Sequence, residues 1–117
     1  MRKATGGDAP CLLSTALGTE DEAEELASAL VEATLAACVQ VMLVRSFYRW
    51  EGELRREPEW VLMVKTRMAR LAEAQAFIRE RHSYQTPEIL QLPVDGGLPE
   101  YLRWIVDSTT PLPNPQE

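Results

Sequence analysis

"CVQVMLVRSFYRWEGELRREPEWVLMVKT", residues 38–66, is the stretch whose reading decides the fold. Its first arm, 38–50, is rich in valine and aromatic residues, the side chains that fit a pleated surface. Gly52 in "EGEL" supplies a turn, and "EPEWVLMVKT" (57–66) reads as the returning strand, so the pair predicts a β-hairpin. Pro58 cannot donate to a ladder and marks an edge or a bulge on the second arm.

On either side of the hairpin the pattern changes period. "CLLSTALG" (11–18) is short, apolar and closed by Gly18, as suits a buried strand. In "TEDEAEELASALVEATLAA" (19–37), Thr19 and Glu22 form a capping-box signature, and Glu20, Asp21 and Glu22 suit the positive end of a helix dipole. Ala23, Leu26, Ala27, Leu30, Val31 and Leu35 follow at helical spacing. After the hairpin, "RMARLAEAQAFIRERH" (67–82) predicts a second helix with Leu71, Ala74, Phe77 and Ile78 inward. "EILQLPV" (88–94) is a fourth strand, and "LPEYLRWIVDS" (98–108) a short third helix with Pro99 at its first position.

The order β-α-β-β-α-β plus a terminal helix is that of the ferredoxin-like split βαβ fold, an α+β class. Right-handed crossovers put both long helices on one face of an antiparallel sheet with strand order 4-1-3-2. The chain divides into a flexible lead-in (1–10), one domain (11–108) and a proline-rich tail (109–117).

Composition narrows the function. The 117 residues carry 18 acids against 12 bases, a net charge of -6, which argues against neutralising nucleic-acid phosphates. "MRKATGGDAP" has no apolar core of a signal peptide, and no apolar run reaches the ~20 residues of a membrane span. A cytoplasmic protein without membrane partners is the expectation. In the expected sheet, strand three separates Cys11 from Cys38 by ~10 Å, beyond the ~7 Å limit for a disulfide.

Arms of 12 or 13 residues extend ~40 Å, whereas a helix of 17 residues covers ~25 Å. The hairpin is therefore expected to protrude, carrying Phe47, Tyr48, Trp50 and Leu54 beyond the helices. Exposed aromatics on a free edge call for a partner, and a closed ring of identical chains is the economical one. Tyr48 and Trp50 read as interface anchors, and Trp60 and Trp104 as core or interface residues.

The loop "RHSYQTPE" (81–88) holds the only histidine. The topology brings His82, Tyr84 and Glu88 towards Ser14 and Thr15 at the end of the first strand, and towards Tyr48 and Trp50. His82 and Glu88 are a candidate pair for copper, zinc or nickel. In the alternative, His82 caps the second helix, Tyr84 packs under the loop and Glu88 accepts hydrogen bonds from the turn. Lys65 and Arg81 are the basic candidates for an anionic ligand, although Lys65 also fits a lysine reaching solvent from a strand end. Tyr48, Lys65, Tyr84 and Glu88 form no nucleophile–base pair, and there is no GxGxxG or P-loop, so an enzyme is not expected.

"LVEATLAACVQV", "SFYRWEGEL", "EWVLMVKT", "RHSYQTPEILQLPV" and "YLRWI" stand in the order and spacing of the CutA divalent-cation-tolerance family, which residues 11–108 resemble. "YRWEG", "VKT" and "TPEI" are the most specific of these. The resemblance implies a ferredoxin-like subunit in a homotrimer, a link to tolerance of copper and other divalent ions, and an architecture similar to PII signalling proteins. A PII-like trimer binding a small anionic metabolite between subunits is the alternative it raises.

The family's copper site, as the resemblance implies it, draws on a first-strand cysteine and two adjacent histidines. Ser14, Arg81 and His82 occupy those positions, with Ser83 in place of the usual proline. One ligand of three is kept, while Glu88 matches the family's glutamate. The implied site is thus weak, with His82 and Glu88 as metal residues, Ser14, Tyr84 and Lys65 as cleft residues, and no cofactor required.

Overall fold

A computed structural model describes residues 6–111. It orders β1 (Pro10–Leu17), α1 (Glu20–Glu32), β2 (Cys38–Trp50), β3 (Glu53–Arg67), α2 (Met68–Arg81), β4 (Ile89–Pro93) and α3 (Pro99–Ser108), with a 3-10 turn at Gly6–Asp8 before them. The four strands form one antiparallel sheet in the order β2-β3-β1-β4, which is the expected 4-1-3-2 order read from the other edge.

Period-two alternation sends Leu13, Thr15 and Leu17 of β1, and Leu62, Val64 and Thr66 of β3, to the helix-covered face. There they meet Leu26 and Leu30 of α1 and Ala74 and Ile78 of α2, all buried, in one core. Thr19 caps α1 as expected, its hydroxyl oxygen accepting from the Glu22 N–H at 3.2 Å. The helix ends sooner than its apolar spacing suggests. Thr34 takes a left-handed φ of 57°, and the Leu35 and Ala36 N–H groups turn back to the Leu30 carbonyl. Leu35 remains buried after the turn, so it keeps the helical pattern without being helical.

The hairpin turn is tighter than "EGEL" implied. Only Glu51 and Gly52 lie outside the strands, at φ 51° and 79°, the two positive angles of the turn that matches strand twist. The second arm therefore starts at Glu53, and its register with β2 is unbroken from Cys38↔Lys65 to Trp50↔Glu53. Pro58 pairs with Arg45 without a bulge, at a point where β1 no longer flanks β3. Pairing of β1 stops at Leu17↔Trp60, so the hairpin beyond Trp60 is a two-stranded arm. Phe47 and Leu54 on it are well exposed.

The ends are tied in by Arg67. Its Nε donates to the Thr109 hydroxyl at 2.9 Å, and its Nη1 lies 3.6 Å from the Asp8 carboxylate. Thr109 is fully buried, so packing reaches slightly past 11–108 on both sides. Residues 1–5 of the expected lead-in and 112–117 of the expected tail lie outside the described residues. Cys11 and Cys38 are free thiols, set opposite Thr66 and Lys65 on the two flanks of β3.

Candidate functional site

The face of the sheet opposite α1 and α2 carries Ser14 and Ala16 of β1, then Arg55, Glu57 and Glu59 of β3, then Ser46, Tyr48 and Trp50 of β2. The register alone places them together. Where the two-stranded arm leaves the body of the sheet, the α2–β4 loop closes over this face. The result is an open cleft of about 720 Å³ lined by Ala16, Tyr48, Trp50, Glu59, Tyr84 and Glu88, among others.

His82 holds the loop in place. Its Nε2 donates to the Ala16 carbonyl at 2.8 Å, and its Nδ1 accepts the Tyr84 N–H at 3.1 Å. Those two bonds fix the neutral tautomer protonated on Nε2 and occupy both ring nitrogens. The imidazole therefore ties the end of α2 to β1 and sets the backbone of Tyr84. The rings of His82 and Tyr84 also pack at 4.9 Å between centroids.

Tyr84 then reaches across the mouth of the cleft. Its hydroxyl donates to Glu59 Oε2 at 2.9 Å, and burial and this bond push its ionisation well above the ordinary tyrosine range. Gly18 makes room for the ring: a Cβ there would stand 3.1 Å from the Tyr84 oxygen. Tyr48 makes a parallel contact on the arm, donating to Glu57 Oε2 at 2.9 Å. That hydrogen bond is the main cause of its raised pKa.

Glu88 lines the cleft and accepts from the Ser14 hydroxyl at 3.3 Å. The structure thus joins Ser14 with Glu88 and His82 with Tyr84, and it records no contact between His82 and Glu88. Lys65 stands apart. Its ammonium donates to the Tyr101 hydroxyl at 3.3 Å and sits over that ring, under α3. Arg81 stacks on Phe77, 3.5 Å from the ring centroid. Among the described residues no group of three His, Cys, Asp or Glu side chains is placed to hold a metal ion.

Sequence reasoning missed Arg55, Glu57 and Glu59. The signal was available. A two-residue turn at Glu51–Gly52 pairs Tyr48 with Arg55, and alternation then puts residues 55, 57 and 59 on the face of Tyr48 and Trp50.

Comparison with known proteins agrees with this architecture. The family model described as CutA1 divalent ion tolerance protein matches residues 11–108. The chain is 42% identical over 85 residues to the divalent-cation tolerance protein CutA of Archaeoglobus fulgidus, covering 73% of this chain and 83% of that one. It is 40% identical over 86 residues to the CutA homolog of Xenopus laevis, covering 73% of this chain and 57% of that longer protein. A solved structure named as the periplasmic divalent cation tolerance protein CutA from Archaeoglobus fulgidus superposes with a TM-score of 0.84 at 36% identity, covering 86% and 99%.

Proposed function

Because this chain belongs to the CutA1 divalent ion tolerance family, we propose that it serves divalent-cation tolerance as a homotrimer that binds metal ions, copper among them, weakly in the cleft around Glu88. The observation that carries the reading is the pairing of that family membership with a cleft edged by three carboxylates, Glu57, Glu59 and Glu88, against one guanidinium, Arg55. Oxygen donors of this kind take divalent ions, and a tight site needs about four ligands, more than one chain assembles here. Glu88 is the proposed metal contact. His82 joins it only by releasing the Ala16 carbonyl, and otherwise serves by holding the loop.

The trimer is supported by the face on which the cleft opens. Leu12, Met42, Val61, Met63, Leu90 and Leu92 share the side of the sheet opposite α1 and α2, which α3 meets at Lys65, and Met42 and Leu90 are 46% and 57% exposed. An apolar sheet face of this kind marks a protein interface. The arm adds Phe47, Tyr48 and Trp50 at its edge. Two free cysteines suit a reducing compartment, so the cytoplasm is the proposed location, and no described helix is long and apolar enough to cross a membrane. A binding role is proposed rather than a catalytic one. The PII-like anion reading is weaker, since Lys65 lies under α3 and the cleft carries a negative balance.

Calorimetric titration with Cu(II) and Zn(II) tests the site. Wild-type protein is expected to bind with micromolar or weaker affinity, and Glu88→Gln to lose about tenfold or more, the worth of one charged ligand contact. His82→Ala separates its two roles: a loss as large as that of Glu88→Gln makes His82 a ligand, and a smaller one makes it the holder of the loop. Binding unaltered in Glu88→Gln refutes the site.

A further inference from the structure

The two-stranded arm sorts its charges by face. On the side of Tyr48 and Trp50, β3 carries Glu53, Arg55, Glu57 and Glu59, three acids against one base. The register turns Arg45, Phe47 and Arg49 of β2, with Leu54 and Arg56 of β3, to the other side. From the Leu43↔Trp60 pair to the turn, that second side holds three arginines and no acid, in a chain whose net charge is -6.

The basic side is uncovered in a single chain. Arg45, Arg49 and Arg56 are exposed, and so are Phe47 at 58% and Leu54 at 72%. Among the described residues the ion pairs fall on Arg55, Arg67, Arg70 and Arg81, and Arg56 only rests over the Phe47 ring at 5.9 Å. Guanidinium groups set between apolar side chains suit carboxylates set beside an apolar surface. The same arm presents that chemistry on its opposite side, where Glu53 and Glu57 are exposed beside Tyr48 and Trp50. The net charge of -6 opposes a phosphate-rich occupant. Two basic sides repel each other, so the complementary contact joins unlike sides of two copies. Contacts of that kind are heterologous, and they generate rings when the rotation closes.

We propose that the basic side of one arm docks on the acidic side of the arm of a second copy, with Arg45 and Arg56 on the carboxylates of Glu53 and Glu57 and with Phe47 and Leu54 covered in the contact. This rests on the proposed assembly of identical chains and goes beyond it by naming the two unlike surfaces that meet. Glu57 also lines the cleft, so the neighbouring copy brings guanidinium groups to the edge of the metal site and offsets part of its negative balance.

The test follows association of the full chain by sedimentation velocity at low salt in four proteins: wild type, Arg45→Glu with Arg56→Glu, Glu53→Arg with Glu57→Arg, and all four substitutions together. Each pair of reversals is expected to weaken association about tenfold or more, because like charges then face each other. The combined protein brings opposite charges together again and is expected to associate within about threefold of wild type. If a reversed protein does not fold, Arg45→Gln with Arg56→Gln is expected to weaken association by a smaller factor, and no change in it overturns the proposal. Association of either reversed pair equal to that of wild type overturns it too, as does a combined protein that stays as weak as the pairs. An Arg45→Glu, Arg56→Glu protein that assembles normally but loses binding to phosphatidylserine vesicles gives the basic side to an anionic surface instead, and likewise overturns it. A wild type that is itself a single chain overturns the assembly reading and this contact with it, whereas an intact wild-type assembly indifferent to every reversal overturns this contact alone.

Discussion

Leu62→Ala is expected to destabilise the protein by about 2–5 kcal/mol, the cost of a buried leucine plus the cavity it leaves. Leu62 is fully buried at the centre of the sheet, opposite Thr15 on β1 and Val41 on β2, and it belongs to the cluster that both long helices cover. Leu13, Leu30 and Ile78 are themselves fully buried in the same core, so the space left by Leu62 closes only by repacking among them. Urea denaturation at one fixed chain concentration measures the change as a shift of midpoint at constant slope. The concentration must be fixed because assembly contributes to apparent stability. The neighbouring Thr15→Val is the control. The Thr15 hydroxyl is buried with no hydrogen-bond partner, so replacing it with a methyl group is expected to cost nothing. A Leu62→Ala loss below about 1 kcal/mol contradicts the core as described.

The second large effect concerns assembly. Met42→Asp places a charge in the middle of the open sheet face, opposite Val61. In a single chain the position is 46% exposed, so the charge stays hydrated and the fold is expected to persist. In the proposed trimer the same charge is buried without a partner. Removing an unpaired charge from water costs several kcal/mol, enough to lower association by about two orders of magnitude or more. Light scattering at micromolar protein should then give the 13.2 kDa chain mass for the variant, with unaltered circular dichroism. An assembly of wild-type mass in Met42→Asp removes this face from the interface.

The fold was legible because three signals agreed: the capped amphipathic helix after Thr19, the valine-rich arms about Gly52, and the second apolar stripe from Leu71 to Ile78. The strand order followed from chain handedness alone. The edges of elements were less legible, and for a physical reason. Leu35 is buried from a turn rather than from a helix, and hydrophobic spacing records burial, not backbone angle.

The site was half legible. Placing His82, Tyr84 and Glu88 near Ser14 needed only topology, and Glu88 does meet Ser14. What His82 does there depends on where two backbone groups point, the Ala16 carbonyl and the Tyr84 N–H, which no side-chain pattern encodes. Glu59 was missed for a different reason. Strand alternation puts it on the face of Tyr48 and Trp50, but nothing in the register distinguishes it from Glu57. It becomes singular only when Tyr84, 25 positions away, comes to rest on it.

The central claim is that a divalent cation is held at Glu88 in an assembly of identical chains. Native mass spectrometry of the wild-type chain and of Glu88→Gln, each with added Cu(II), reads assembly and metal load together. The predicted spectrum shows an ion of three 13.2 kDa chains carrying copper, with the copper load much reduced in Glu88→Gln while the three-chain mass is kept. A single-chain ion, or a three-chain ion whose copper load is the same in both proteins, would contradict it.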